Sequence, residues 1–306
     1  MLAKIKKKIS NPYILAELLL RRMFSGLVKN DELYLRARYF LLNRKKLKIT
    51  PPISFGEKLY WLNLHNHNLA FSMMVDKLAA KAYAASVIGE EYIIPTLGEW
   101  DSFDDINFAD LPNQFVLKCT HDSGGLVICK DKVRLDVKSA RNKINQSLRR
   151  NYYQWTREWP YKNVKPRIIA EQYMQDDENE DLIDYKFFCF NGRAEYCQVI
   201  ANRHTDETID FYDRDWKHQP FIGLLPTAHH APTAHHAPKD YSRMLHIADT
   251  LANDIKSPFV RVDLYYIRER IYFGEITFFP YGGNGTFRPS EWNLTLGKMI
   301  DLDRKW

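Results

Sequence analysis

The sequence predicts an α+β protein in which helices come first and paired strands follow. Three observations carry this. Apolar residues recur at helical spacing through residues 14–85, and three separate hairpin signatures lie at 115–130, 184–200 and 259–277. The chain is also large enough to bury an extended core, with 306 residues that are 45% hydrophobic and 14% aromatic.

From the N-terminus, residues 1–50 hold 13 Lys and Arg against three acids, a balance of +10. The whole chain carries +6, so the remainder is mildly acidic. A basic arm on an acidic body argues against a protein that binds nucleic acid over its whole surface, and no nucleic-acid partner is expected. The apolar run that starts at Tyr13 is broken by Glu17 and followed by Arg21-Arg22, too short for a membrane span, and no signal-peptide cleavage site follows. Residues 14–47 read as one or two amphipathic helices that either cover the body or touch a membrane peripherally. Pro51-Pro52 ends this arm.

Residues 55–85 read as two helices, the second containing Val75, Asp76 and Lys77, within a mainly helical segment 51–110. Phe115 to Cys119 and Leu126 to Lys130 form a β pair around the small-residue loop Thr120-His121-Asp122-Ser123-Gly124-Gly125. Such a loop is either a plain turn or a cradle whose amides approach phosphate oxygens, with Lys118 supplying charge from the strand. Walker A spacing does not occur.

Residues 137–157 read as a basic helix, and residues 167–174 as a strand leading into an acidic loop. Asn191-Gly192 is a strong type I′ turn between two further strands. On the first of these Lys186 points into an aromatic face, either snorkelling or reaching an anion. Arg203 and His204, just beyond, either form surface pairs or hold an acidic substrate. The tandem repeat Pro-Thr-Ala-His-His-Ala at 226–237 reads as a loop with adventitious metal affinity rather than a functional site. The four cysteines lack CxxC spacing and read as reduced, buried thiols of a cytoplasmic protein. Residues 241–256 read as an amphipathic helix leading to the last hairpin.

That hairpin alternates apolar residues around Arg268-Glu269-Arg270. A three-residue turn sets Ile267 opposite Ile271, Asp263 opposite Glu275 and Arg261 opposite Thr277. Directly opposed carboxylates repel, so this face is either solvated or built around a cation, for which Mg²⁺ with its hard oxygen ligands is the candidate.

Taken in order, a lysine strand with a glycine loop, Glu171-Gln-Tyr-Met174, a second lysine strand, then Arg-x-Asp and Glu-x-Thr resemble the ATP-grasp superfamily. In that superfamily two α+β lobes clamp ATP, here preceded by a helical N-terminal segment. The stretches EEYIIP (90–95), WDSF (100–103), NQFVLK (113–118), DYKFF (184–188) and FYDRDW (211–216), with the last hairpin, are similar to the TupA-like ATP-grasp family of teichuronopeptide and polysaccharide gene clusters.

The resemblance implies a small lobe over 111–170 and a large lobe over 171–306. It implies ATP and Mg²⁺ as cofactors, with Lys118 and Lys186 on the phosphates and Ser123, Gly124 and Gly125 folding over them. Glu171, Tyr173 and Met174 would line the adenine, and Asp177 or Glu178 would meet the ribose. Asp263, Glu275 and Thr277 would bind metal, although many relatives have Asn at the last of these. Arg261 would steady the transferring phosphoryl group, and Arg203, Gly283 and Asn284 would hold substrate.

The implied activity is a carboxylate–amine ligase that joins an amino acid to a sugar acid or amino sugar, free or nucleotide-linked, in the cytoplasm or at the inner membrane face. A glycosyltransferase and a non-catalytic membrane scaffold are the competing readings. The first leaves the lysine–glycine loop and the Arg-x-Asp/Glu-x-Thr set unexplained.

Overall fold

The computed structural model describes residues 12–176, 181–203, 205–225 and 228–305. The arm folds as helix α1 (Pro12–Leu19), a π turn (Leu20–Phe24) and helix α2 (Asp31–Asn43), which starts where the Asn30 side chain accepts from Leu33 N at 2.9 Å. Tyr34 and Leu35 of α2 bury against Leu47, Ile49 and Tyr60, and Arg38 pairs with buried Glu17 at 3.2 Å. Of the two readings of this arm, a helix covering the body describes its inner face.

Helix α3 (Phe55–His65) begins with a capping box in which Ser54 and Glu57 satisfy each other's backbone amides. The single second helix expected here is two, α4 (Ala70–Val75) and α5 (Lys77–Ile88). Asp76 adopts extended backbone between them and accepts from Leu78 N and Ala79 N at 2.9 and 3.1 Å, so it starts a helix instead of continuing one. The helix expected over 137–157 likewise divides into α6 (Val137–Leu148) and α7 (Tyr152–Thr156), with Asn151 capping the second.

Two antiparallel sheets form the body. The first has the order β1 (Thr96–Trp100), β4 (Ile168–Gln172), β2 (Phe115–Cys119), β3 (Leu126–Cys129). It therefore draws one strand from the segment read as mainly helical, and its inner strand β4 straddles the boundary placed at 170/171. Phe115, Leu117 and Ile168 bury beneath Ala140 and Ile144 of α6.

The second sheet has the order β10 (Arg270–Thr277), β9 (Phe259–Ile267), β5 (Asp184–Phe190), β6 (Arg193–Ala201), β7 (Thr208–Tyr212), with β8 (Ile222–Gly223) pairing β11 (Phe287–Arg288) beside it. Helix α8 (Tyr241–Ile255) covers one face through Met244, Ala248 and Leu251, against Phe187, Val260, Val262 and Leu264. On the opposite face Phe55 meets Phe259 at 5.0 Å and Phe287 at 5.4 Å, both edge-to-face. Helix α9 (Trp292–Met299) packs against α3. All four cysteines are buried free thiols, and no described helix is long and apolar enough to cross a membrane.

The last hairpin reaches its expected pairing by an unexpected route. Its turn has two residues, Arg268 and Glu269, both with positive φ (50° and 58°), so Ile267 pairs with Arg270 and Ile271 with Tyr266. A bulge at Gly274 then inserts one residue and restores Asp263 opposite Glu275 and Arg261 opposite Thr277. A Cβ at Gly274 would stand 3.0 Å from the Asp263 carbonyl, which is why the bulge sits on a glycine.

Candidate active site

The aromatic face of the larger sheet becomes ionic over one strand step. Phe188 pairs across the ladder with Arg261 and Lys186 with Asp263, so these four share a face. Asp263 is 2% exposed, and Arg261 bonds it twice, Nε to Oδ1 at 2.6 Å and Nη2 to Oδ2 at 2.7 Å. Lys186 donates to the same Oδ2 and lies 3.3 Å from Asp184. Burial works to raise the Asp263 carboxyl, but the guanidinium of Arg261 and the ammonium of Lys186 outweigh it and hold it below the usual range. From the partner strand, Glu275 Oε1 and Thr277 Oγ1 accept from Arg261 Nη2 at 3.1 and 3.0 Å, and Glu275 stays 47% exposed.

A second ionic group lies on the smaller sheet. Glu171 is buried with one oxygen on Lys81 Nζ at 2.7 Å and the other on Lys118. Here too burial opposes ionisation, yet Lys118 and Lys81 hold the carboxyl low. Lys81 also donates to Thr96 Oγ1 at 2.9 Å. Tyr173 and Met174 follow, half-buried, where β4 leaves the sheet.

The glycine loop joins the two groups. Lys77, one turn before Lys81 on α5, donates to the Asp122 carbonyl; burial lowers its ammonium, while Glu275 and Asp122 oppose the shift. Asp122 itself is buried, accepts from Gly125 N at 3.1 Å and bonds Ser147. A Cβ on Gly125 would meet Ser147 Oγ at 2.3 Å and Cys119 Sγ at 2.7 Å, so packing requires that glycine. Ser123 and Gly124 are the exposed tip.

Other expected residues are otherwise engaged. Arg203 Nε bonds Asp184 at 2.6 Å. Asn284 is buried, accepting from Tyr60 Oη at 2.7 Å and donating to the Gly282 carbonyl at 3.0 Å, and Gly283 packs against the Tyr60 ring. Both therefore anchor the loop after β10 to α3. Asp177, Glu178 and His204 lie outside the described residues.

Sequence reading missed three groups. Lys77 and Lys81 stand at i and i+4 on an otherwise apolar helix, a spacing that puts both on one face and was available as a signal. Glu158 and Arg38 meet beside Gly282, where a Cβ would come within 3.7 Å of Glu158 Oε1 and Arg38 Nη1. They are far apart in the chain, and nothing local marks either. Burial raises the Glu158 carboxyl to about 7, with Arg38 lowering it and Glu275 raising it further. Half-buried Tyr152 and Tyr161 stand near Glu158 and Glu275.

The family model for TupA-like ATPgrasp proteins matches residues 57–301. The chain belongs to this family. This ATP-grasp protein thus has the α+β ATP-grasp fold.

Comparison with curated proteins gives no match. Among solved structures, D-alanine–D-alanine ligase from Bacillus anthracis complexed with ATP is 16% identical, with 73% of this chain and 62% of that one covered at a TM-score of 0.41. The Helicobacter pylori D-alanine–D-alanine ligase is 14% identical over 81% and 69%, at 0.42. An L-amino acid ligase from Bacillus licheniformis is 13% identical over 90% and 63%, at 0.47. The ATP-grasp chain thus spans less than two thirds of the two Bacillus enzymes.

The donor set on the hairpin fits Mg²⁺. Asp263, Glu275 and Thr277 offer only hard oxygens, and the half-exposed Glu275 carboxylate is the arm open to a hydrated ion.

Proposed function

We propose that the chain is a carboxylate–amine ligase that forms an amide through an acyl phosphate, joining an amino acid to a uronic acid or amino sugar of a bacterial surface polysaccharide. The observation that carries the chemistry is the buried Asp263 held between Arg261 and Lys186, with Glu275 and Thr277 across the ladder. The polysaccharide substrate rests on the TupA-like family.

In this reading Lys118 and Lys186 hold the ATP phosphates, and the tip at Ser123 and Gly124 folds over them to exclude water. Tyr173 and Met174 border the adenine through their backbone. Glu171 has both oxygens on lysines, so its role is to aim Lys118 and Lys81 rather than to accept from the base. Asp263 and Glu275, with Thr277 beside them, would hold Mg²⁺, which would supply positive charge to the transferring phosphoryl group.

A substrate carboxylate oxygen bonds to the γ-phosphorus as the bond to the ADP oxygen breaks, with Arg261 against the transferred group. The amine then attacks the acyl carbon, phosphate leaves, and Glu158 takes the amine's proton. A carboxyl near 7 is suited to that exchange. Arg38 pairs with Glu17 through Nε and turns Nη1 toward Gly282, and that nitrogen is the positive charge for an acidic substrate in place of Arg203, which Asp184 holds. Leu15, Leu19, Met23, Phe24 and Leu27 are exposed on the arm next to Arg21 and Arg22, which supports peripheral contact with an anionic membrane.

The test is ADP release measured over nucleotide-linked uronic acids crossed with amino acids, with mass spectrometry of the product. Turnover that needs Mg²⁺, acid and amine together, and vanishes in Glu275→Gln, is the expected result. Release of a nucleoside diphosphate from a sugar nucleotide without ATP would replace the reading by glycosyl transfer.

A further inference from the structure

The duplicated Pro-Thr-Ala-His-His-Ala segment is not an unattached loop. From Ala228 it runs back over β7. Ile209 N donates to the His229 carbonyl at 2.9 Å, His235 N to the Tyr212 hydroxyl at 2.7 Å, and the Trp216 indole to the His235 carbonyl at 2.8 Å. These bonds turn one histidine of each copy inward and leave its neighbour, His229 or His236, outside the cluster described next.

The inward pair converges on Asp210, which is 1% exposed. His230 Nδ1 lies 2.7 Å from Asp210 Oδ1, and His235 Nε2 lies 3.5 Å from Oδ2. His218, from outside the repeat, brings Nε2 to 2.8 Å from Oδ1. Ala231 N donates to Oδ2 at 3.1 Å, fixing the carboxylate's orientation. The ligating atoms of Asp210, His218 and His230 all fall within 4.8 Å of one another. His235 Nε2 is buried and has no hydrogen-bond partner among the described residues.

Three imidazoles around one carboxylate have a specific chemical use. Bonds of about 2.0–2.1 Å in a tetrahedral zinc site put its ligand atoms about 3.3 Å apart. His230 Nδ1 and His218 Nε2, 2.7 and 2.8 Å from Asp210 Oδ1, stand slightly inside that edge, and His235 Nε2 lies 3.5 Å from Oδ2. Imidazole nitrogen with a carboxylate suits Zn²⁺ and neighbouring late first-row ions, whereas Mg²⁺ takes oxygens. Asp210 pairs with Val199, Val199 with Tyr185, and Tyr185 with Leu264, so Asp210 points to the opposite face from Lys186 and Asp263, with two strands between β7 and β9. The two sites share no residue. His218 and His230 keep 38% and 40% of their side chains exposed, so an ion can enter from solvent.

We propose that Asp210, His218 and His230, with His235 beside the second Asp210 oxygen, form a site for a late first-row divalent cation, Zn²⁺ foremost, which clamps the repeat segment onto the edge strand β7.

The experiment uses the tag-free full chain, stripped with chelator and titrated with Zn²⁺ against a chromophoric competitor. One Zn²⁺ per chain is expected. The pair His218→Ala/His230→Ala should weaken binding at least a hundredfold, while His229→Ala/His236→Ala, removing the other two histidines of the same repeat, should leave it unchanged. Equal losses in the two pairs would reduce the affinity to adventitious surface binding and overturn the proposal, as would no stoichiometric binding by the unaltered chain. The Co²⁺-loaded unaltered protein decides independently of whether any variant folds. Intense visible bands of a four-coordinate ion support the site, and the weak bands of a six-coordinate aquo ion refute it.

Discussion

Glu158 gives the most direct handle on the site, because burial changes its charge within an accessible pH range. Its side chain is 8% exposed, and its carboxyl is raised from an ordinary 4.5 to about 7, burial being the largest cause. A carboxyl raised on folding makes its full contribution to stability below the unfolded pKa and loses it as pH rises through the folded one. Here the window is about 4.5 to 7. A rise from 4.5 to about 7, at about 1.4 kcal/mol per pH unit, makes the ionised carboxylate a liability of about 3–3.5 kcal/mol above pH 7. Glu158→Gln keeps the shape and removes the titration. Urea unfolding at intervals from pH 5 to 8 should show the variant within about 1 kcal/mol of the parent at pH 5 and more stable by about 3 kcal/mol at pH 8. The same variant should lose most of the rise in kcat/KM that the parent shows as pH passes 7. Parallel stability curves for the two proteins would refute the argument, since they would mean that Glu158 has water or a second cation beside it.

Three further outcomes follow from the same geometry. Glu275→Gln, at a 47% exposed side chain, should change unfolding free energy by no more than about 0.5 kcal/mol while abolishing Mg²⁺-dependent ADP release. Asp263→Asn takes the central carboxylate from buried Arg261 and Lys186, leaving Glu275 at 3.1 Å and Asp184 at 3.3 Å as their remaining acids, and should cost about 3 kcal/mol in urea unfolding. Gly125→Ala forces a methyl onto Ser147 and Cys119 and should cost about 1–3 kcal/mol, with a lower thermal midpoint as the readout.

The hairpins were legible because period-two alternation and turn chemistry are local. The key register shows how such a reading can succeed through compensating errors. A three-residue turn without a bulge and a two-residue turn with a bulge at Gly274 both set Asp263 against Glu275, and only the structure separates them. Lys118, Glu171, Lys186, Arg261 and Asp263 could be named from motifs because their positions on strands determine where they point. Helix interruptions at Asp76 and Asn151 were legible in principle, since both are N-cap residues. Arg38 beside Glu158, and His218 beside His230, were not. Each is a tertiary juxtaposition with no periodicity behind it, and the histidine repeat by itself resembles any low-complexity loop until Asp210 is seen beneath it.

Lys118 and Lys186, proposed to meet phosphate, and Lys81 beside them are each neutralised by an acid before any nucleotide arrives, so ATP must exchange partners rather than fill an empty positive site. Lys81 and Lys118 share Glu171, and Lys186 is held by Asp263. Glu171→Gln tests this arrangement. Lys118 is 27% exposed and can turn to water, but Lys81 is 8% exposed and cannot. Burial already lowers the Lys81 ammonium, with Glu171 opposing that shift, so removing the acid lowers it further. The variant should therefore lose about 3–5 kcal/mol at pH 7. A lysine whose folded pKa lies below its unfolded 10.5 binds fewer protons when folded, so the deficit should shrink as pH rises from 7 to 10 and neutral Lys81 no longer needs a partner. Urea unfolding across that range reads it directly. A deficit that stays constant would place the lost stability in packing rather than in an uncompensated charge, and Glu171 would then have no electrostatic part in aiming the lysines.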